Sequence, residues 1–359
     1  MKRAALALAL LACVPPPEPV ANPRWGAAAR FHCSYDARCP ELAIEGAPHA
    51  QAWFRGIGDP SLEHDPETGA LWLAYSWLDV AGPDFAIRTQ LARSDDRGRS
   101  FSVTSSANEV ERRPDARGRA GLWVHEVPTL ARVGRVDWRL AWLSYFDPLG
   151  AGPREYAEPR LRAARAAAPE RLGAPVTLLS PPHEGCAALT EPTLFAEDGQ
   201  LWLAASCIVF WLGTRRPERE RLLLWRDTGE GWTHAGALLD AADARALGGD
   251  RVEQADFARA RDGSLLLFVT PIREGEDPAH QGCVVLEVED LAAARIRRQP
   301  DGSPFVRAVV TADGNGLGPG LCTYDAASET GVLLVITRFD LASDPPDLLF
   351  SLRRTGFHP

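Results

Sequence analysis

Three acidic residues stand at the head of three similar segments: Asp59 before Pro60-Ser61-Leu62, Glu126 before Val127-Pro128-Thr129-Leu130, and Glu191 before Pro192-Thr193-Leu194. Carboxyl groups converging on one bond can divide the labour of hydrolysing a glycosidic linkage. One donates a proton to the leaving oxygen and another serves as base or nucleophile. Asp256 lies near the same place in a fourth segment, aligned there with the prolines. Glu126 is one residue further from its proline than the other two, and a one-residue slip turns a strand side chain to the opposite face. The competing assignment is structural, with these acids capping strand ends or pairing with arginines. Trp53, Arg55 and Trp77 lie beside Asp59 or on a nearby loop and offer rings or a guanidinium to a sugar. Trp72, Trp142 and Trp202 occupy positions better suited to packing between sheets. The scattered histidines His64, His125 and His183 lack metal-ligand spacing, and no cysteine spacing suits zinc, so neither metal nor cofactor is expected.

The elements that must hold these residues repeat. Each acidic segment leads through a turn to an apolar run: Leu71 to Ser76, Leu140 to Tyr145, and Leu201 to Ser206. Weaker copies run from Ala255-Asp256-Phe257 to Leu265–Phe268 and from Gly318-Pro319-Gly320-Leu321 to Val332–Val335. Prolines 60, 128 and 192 are 68 and 64 residues apart, a period that fits a four-stranded sheet with generous loops. In the first copy the alternation and turn residues predict strands at 60–64, 70–78, 86–93 and 100–105. Long helical patterns are nearly absent, and Leu161 to Ala168, helix-forming by composition, falls where the repeat demands a strand. The expected fold is all-β: a β-propeller of five blades, with a sixth built from 24–58 and the C-terminus as the alternative. The last copy is one strand short, so an N-terminal strand, for instance Glu41 to Glu45, is expected to close the ring.

Between the third and fourth strands of the first copy lies Ser94-Asp95-Asp96-Arg97-Gly98-Arg99-Ser100-Phe101. It resembles the Asp-box of sialidase-like propellers, the bacterial-neuraminidase-repeat superfamily. In that motif Asp96 would bond turn amides, Gly98 would take a positive φ and Phe101 would pack inward, which staples a hairpin and marks fold rather than activity. A degenerate version, Asp227 to Trp232, stands in the third copy.

The carboxylates on successive inner strands resemble those of five-bladed arabinanase and xylosidase-type glycoside hydrolases. That resemblance implies Asp59 as base, Glu126 as the residue tuning its partners and Glu191 as acid. A sialidase resemblance would instead require three arginines gripping a carboxylate and a tyrosine nucleophile. Phe54-Arg55 resembles that family's entry motif, Arg273 and Arg338 would supply the other arginines, and Tyr324 the tyrosine. The function these resemblances imply is an exported glycan-active propeller, with a non-catalytic glycan- or protein-binding propeller or an envelope assembly factor as alternatives.

The N-terminus sets the expected location. Met1-Lys2-Arg3 precedes a short apolar run, Ala4 to Ala12, too brief to span a bilayer, and Leu10-Leu11-Ala12-Cys13 resembles a bacterial lipobox. Residues 1–12 are read as a signal peptide, 13–23 as a lipidated Cys13 with a proline-rich tether, and 24–359 as one domain. The expected place is the bacterial envelope, with the lipid as the membrane contact. Formal charge is −9, and −11 once Lys2 and Arg3 leave, which argues against nucleic acid as a partner. Besides Cys13 there are six cysteines, an even set suited to disulfides. Cys33 with Cys39 is the expected local bridge; Cys186 with Cys207 and Cys283 with Cys322 fit among fifteen connectivities.

Overall fold

The computed structural model describes residues 28–34, 39–48, 52–80, 86–148, 157–179, 185–211, 214–274, 279–313, 317–340 and 347–359. Cys13, the leader, the tether and His183 lie outside them.

The described chain is a β-propeller. Five inner strands surround an axis: Phe54–His64, Gly121–Gly134, Ala188–Glu197, Arg251–Arg259 and Pro319–Thr323. Each contacts the next, and the fifth contacts the first. From each inner strand an antiparallel sheet runs outward, as in the order Ala188–Glu197, Gln200–Ile208, Arg221–Asp227, Trp232–Leu239. In the first copy the strands are Phe54–His64, Leu71–Val80, Ala86–Ser94 and Ser100–Asn108; the last three overlie the expected spans, whereas the first begins six residues before the expected 60, so that Asp59 lies within it. Second strands such as Leu71–Val80 are buried along nearly their whole length because neighbouring sheets cover both faces. The outer Ser100–Asn108 alternates as a half-exposed strand should.

The alanine-rich stretch forms strand Ala157–Ala166, so sheet pairing overrides its helical propensity. Among the described residues the one α-helix is Ala241–Ala246, capped by Asp240, whose side chain accepts from the amides of Ala242 and Asp243.

Closure differs in detail from the expected single strand. Leu42 donates its amide to Leu352 and Arg354 donates to Pro40, so residues 40–42 flank the last strand, Asp347–Arg354. Ala43–Glu45 moves on to pair in parallel with Ser100–Asn108 of the first sheet, and Ala29–Cys33 pairs in parallel with Val306–Ala312 of the fourth. Asp347–Arg354 also pairs with the start of the first inner strand, Leu348 opposite Phe54, which joins first and last sheets.

A ring of side-chain hydrogen bonds ties the inner strands together. Ser61 accepts from the amide of Leu130, Thr129 from that of Leu194, and Thr323 from that of Leu62. Thr193 and Thr323 both donate to Asp256, at 3.3 and 2.5 Å. Ser61, Thr129, Thr193, Asp256 and Thr323 are therefore equivalent positions. Asp256 aligns with the hydroxyl residues, one place beyond the prolines with which the sequence pattern aligned it.

Tryptophans fill the spaces between sheets. Trp72, Trp138 and Trp142 share one apolar cluster, and Trp202 sits in another. The turn of Ser94 to Phe101 is stapled as expected. Asp96 accepts from the amide and hydroxyl of Ser100 and from Ser94, Gly98 has φ +85° and donates to Ser94, and Phe101 is buried. Three disulfides, Cys33–Cys39, Cys186–Cys207 and Cys283–Cys322, match the expected pairing and suit an oxidising compartment. Among the described residues no helix is long and apolar enough to cross a membrane.

Candidate active site

A local irregularity on the inner strands creates the site. Pairing of the first inner strand with Leu71–Val80 jumps between Gly58 and Ser61, so Asp59 and Pro60 together face one residue of the neighbour. The same bulge occurs at Val127-Pro128 and at Glu191-Pro192. Proline suits it because the ladder bond its missing N–H would make is already lost there. Asp59, Val127 and Glu191 have φ of 48°, 53° and 51°, and Leu321 on the fifth strand has 54°. Side chains rarely adopt this left-handed region; each such residue costs about 1–3 kcal/mol, and functional sites are where the cost is commonly borne.

The bulges aim their side chains into a cavity of about 310 Å³ at one end of the axis. Asp59, Glu126 and Glu191 all line it, with Glu253, Glu274, Arg251 and His280. Glu126 thus reaches the cavity although Val127, not Glu126, holds the bulge position. Apolar walls come from Phe54, Leu78, Ile87, Ile272, Leu317, Leu321 and Phe350.

Crowding governs the charges. Burial, then repulsion from Glu126 and Glu253, pushes the Asp59 carboxyl up to about 7, against a hydrogen bond from Ser76 and the nearby His280. Burial, then Asp59, Glu253 and Glu126, pushes Glu191 well above the carboxylate range, with Arg251 opposing. No hydrogen-bond donor among the described residues meets Glu191 Oε2. Glu253 shows the reverse: burial would raise it, but Arg251 and His280 hold it far below the ordinary range. Such pairs of carboxyls with diverging proton affinity are what acid–base chemistry needs.

The remaining expected site residues do not line this cavity. Arg55 donates to Asp347 at 2.6 Å and to the carbonyl of Ala52. Trp53 is 44% exposed and packs edge-on against the cavity-lining Phe54. Trp77 is buried, donates to the carbonyl of Pro48 and lies under Arg88. Asp256 is committed to the threonine ring. Tyr324 is buried against Phe268, and Arg273 and Arg338 are exposed. His125 is buried beside Trp142, with burial pushing it down to about 4.

Sequence reasoning missed Arg251, Glu253, Glu274 and His280. One signal existed for Glu253: it precedes Gln254-Ala255-Asp256 as Glu126 precedes Val127-Pro128-Thr129. Alanine in place of proline hid that alignment. Among the described residues no cluster of metal-ligating side chains is present.

No family model and no curated protein matches the chain. Solved structures of similar fold include Zg3597, a family 117 glycoside hydrolase from Zobellia galactanivorans, with TM-score 0.53, 11% identity, and coverage of 88% of this chain and 90% of that one. A fructofuranosidase variant from Schwanniomyces occidentalis in complex with fructosylnystose has TM-score 0.53 at 10% identity, over 88% of this chain and 60% of that one. A family 32 glycoside hydrolase from Bifidobacterium adolescentis has TM-score 0.52 at 11% identity, over 84% of this chain and 54% of that one. At these identities the likeness establishes the propeller fold.

Proposed function

We propose that the chain is a glycoside hydrolase with Glu191 as general acid and Asp59 as general base. The observation that carries this reading is that the first and third inner strands use the same bulge to aim these two carboxyls into one cavity. A cavity near 300 Å³ suits a small ligand such as a sugar. That the similar solved structures are glycoside hydrolases by name adds support.

The division of labour follows from the surroundings. Asp59 has relief from Ser76 and His280, whereas Glu191 has three carboxyls raising it and Arg251 alone opposing, so Asp59 is the readier to ionise. Glu191 gives its proton to the glycosidic oxygen as the bond from that oxygen to the anomeric carbon breaks. Water forms the new bond to that carbon and passes a proton to Asp59. Glu126 raises both carboxyls, the tuning role that the family resemblance suggests. Trp53, exposed and packed edge-on against the cavity-lining Phe54, would stack on a sugar further out.

A carboxylated sugar fits less well. Arg251 is the one arginine among the described residues lining the cavity, and Glu253 and Glu274 already occupy its guanidinium. Among the described residues lining the cavity, the three-arginine clamp of a sialidase has no counterpart. Residues 24–359 are proposed as the catalytic domain, exported and tethered to the envelope through Cys13. The three disulfides support export.

The test is hydrolysis by the purified chain on a panel of aryl glycosides and sialosides, beside Asp59→Asn and Glu191→Gln. Turnover abolished in both variants, on an aryl glycoside, is expected. Folded protein that binds glycans and turns over none of them would leave a binding propeller.

A further inference from the structure

Glu253 ends a chain of alternating charges that leads out of the cavity. Its Oε1 accepts from Arg251 Nη2 at 3.2 Å, and its Oε2 meets His280 Nε2 at 2.8 Å. Arg251 also donates through Nε to Glu274. Glu274 lies 3.9 Å from Arg215, and Arg215 is gripped by both oxygens of Glu220 at 2.6 and 2.9 Å. The members nearest the cavity are sheltered, with side-chain exposures of 22% for Glu253, 10% for Arg251 and 4% for His280.

The histidine cannot swing away. Its backbone amide donates to Leu317 at 2.6 Å, and its ring lies so close to Gly320 that any Cβ there would come within 2.8 Å of it. Glu253 is thus fixed from two sides by side chains that are themselves fixed. A half-buried carboxylate held this way stays charged because its partners replace the water it lost.

We propose that Glu253 is a positioning residue of this site, a carboxylate that Arg251 and His280 clamp in the wall of the cavity it shares with Asp59 and Glu191, and that it acts on the reaction through those two carboxyls. Among the described residues, the charged groups lining the cavity with Glu253 are Asp59, Glu126 and Glu191 from the first three inner strands, Arg251 from the strand of Glu253 itself, and His280 and Glu274 from the segments that follow it; the fifth inner strand contributes Leu321. A fixed like charge disfavours ionisation of its neighbours, so the acid remains loaded at higher pH. The catalytic consequence rests on the hydrolase reading; the proton distribution does not.

The experiment is a carbon-13 carboxyl NMR titration of the full chain and of Glu253→Gln, with Asp59→Asn and Glu191→Gln assigning the resonances. The Asp59 and Glu191 midpoints are expected to fall by about one pH unit in Glu253→Gln, the size expected when a partly screened like charge is removed from the wall of the same cavity. On any glycoside turned over, the basic limb of kcat/KM should move down with them. Unchanged midpoints in a folded variant would overturn the proposal. The wild-type titration tests it without any variant: Glu253 must stay ionised well below the ordinary carboxylate range, and a Glu253 that titrates normally refutes it. Absence of turnover in wild type would refute the hydrolase reading while leaving both titrations to decide the role of Glu253.

Discussion

The side-chain amide of Gln254 donates to the backbone carbonyl of Pro60 at 3.1 Å, reaching from the fourth inner strand to the first. Those strands are not neighbours in the ring, so the contact crosses the axis. It falls where the bulge has disturbed the pairing of Pro60, directly after Asp59. One buried amide thereby braces the backbone that presents the proposed base.

Replacing Gln254 with Leu should therefore lower both stability and turnover. A buried carbonyl left without its donor costs about 1–3 kcal/mol, which thermal melting will show. Because Asp59 shifts while the rest of the cavity remains, kcat should fall with KM little changed. Normal kcat in the variant would mean that Asp59 keeps its place unaided.

The pH profile of hydrolysis should be displaced from that of solvated carboxylates. The base must be ionised and the acid protonated, and the Asp59 carboxyl is pushed up to about 7. The acidic limb of kcat/KM is expected near that value. A limb near pH 4 would show Asp59 to be well hydrated or not the base.

Asp256 should make the fold less stable as pH rises. Burial pushes its carboxyl up to about 7 from 3.8, against hydrogen bonds from Thr323 and Thr193. The folded state therefore binds the proton more tightly than the unfolded one. Its stabilising contribution is complete below pH 3.8 and is lost as pH climbs through about 7; at most it amounts to about 4 kcal/mol. Asp256→Asn should flatten the decline of Tm between pH 4 and 8. An unaltered slope would assign that decline to other carboxyls.

The disulfides should rank by the loop they close. Cys283–Cys322 spans 39 residues and joins the fourth sheet to the fifth inner strand, whereas Cys33–Cys39 spans 6. Loop-closure entropy predicts losses of about 4 and about 2 kcal/mol when each pair is changed to serine. Denaturant unfolding of the two double variants measures the order, and the reverse order would show that strain or residual structure dominates.

Much of this was legible in the chain itself. The period near 65 residues, the alternation within each copy and the turn residues between strands report the propeller, because each copy must bury its faces against the next. The Asp-Pro-Ser and Glu-Pro-Thr heads of the first and third copies mark Asp59 and Glu191, since proline suits the bulge that aims the preceding residue. Tertiary structure alone decided the rest. Whether Glu126 faced the cavity depended on where a bulge falls in its pairing with Leu143, and whether Asp256 met sugar or threonine depended on Thr193 and Thr323 about 65 residues away, so neither could be read locally. Arg251, Glu253 and His280 come together because strand pairing and a closed ring place them there, and no short-range pattern records a contact whose members are chosen by the packing of whole sheets.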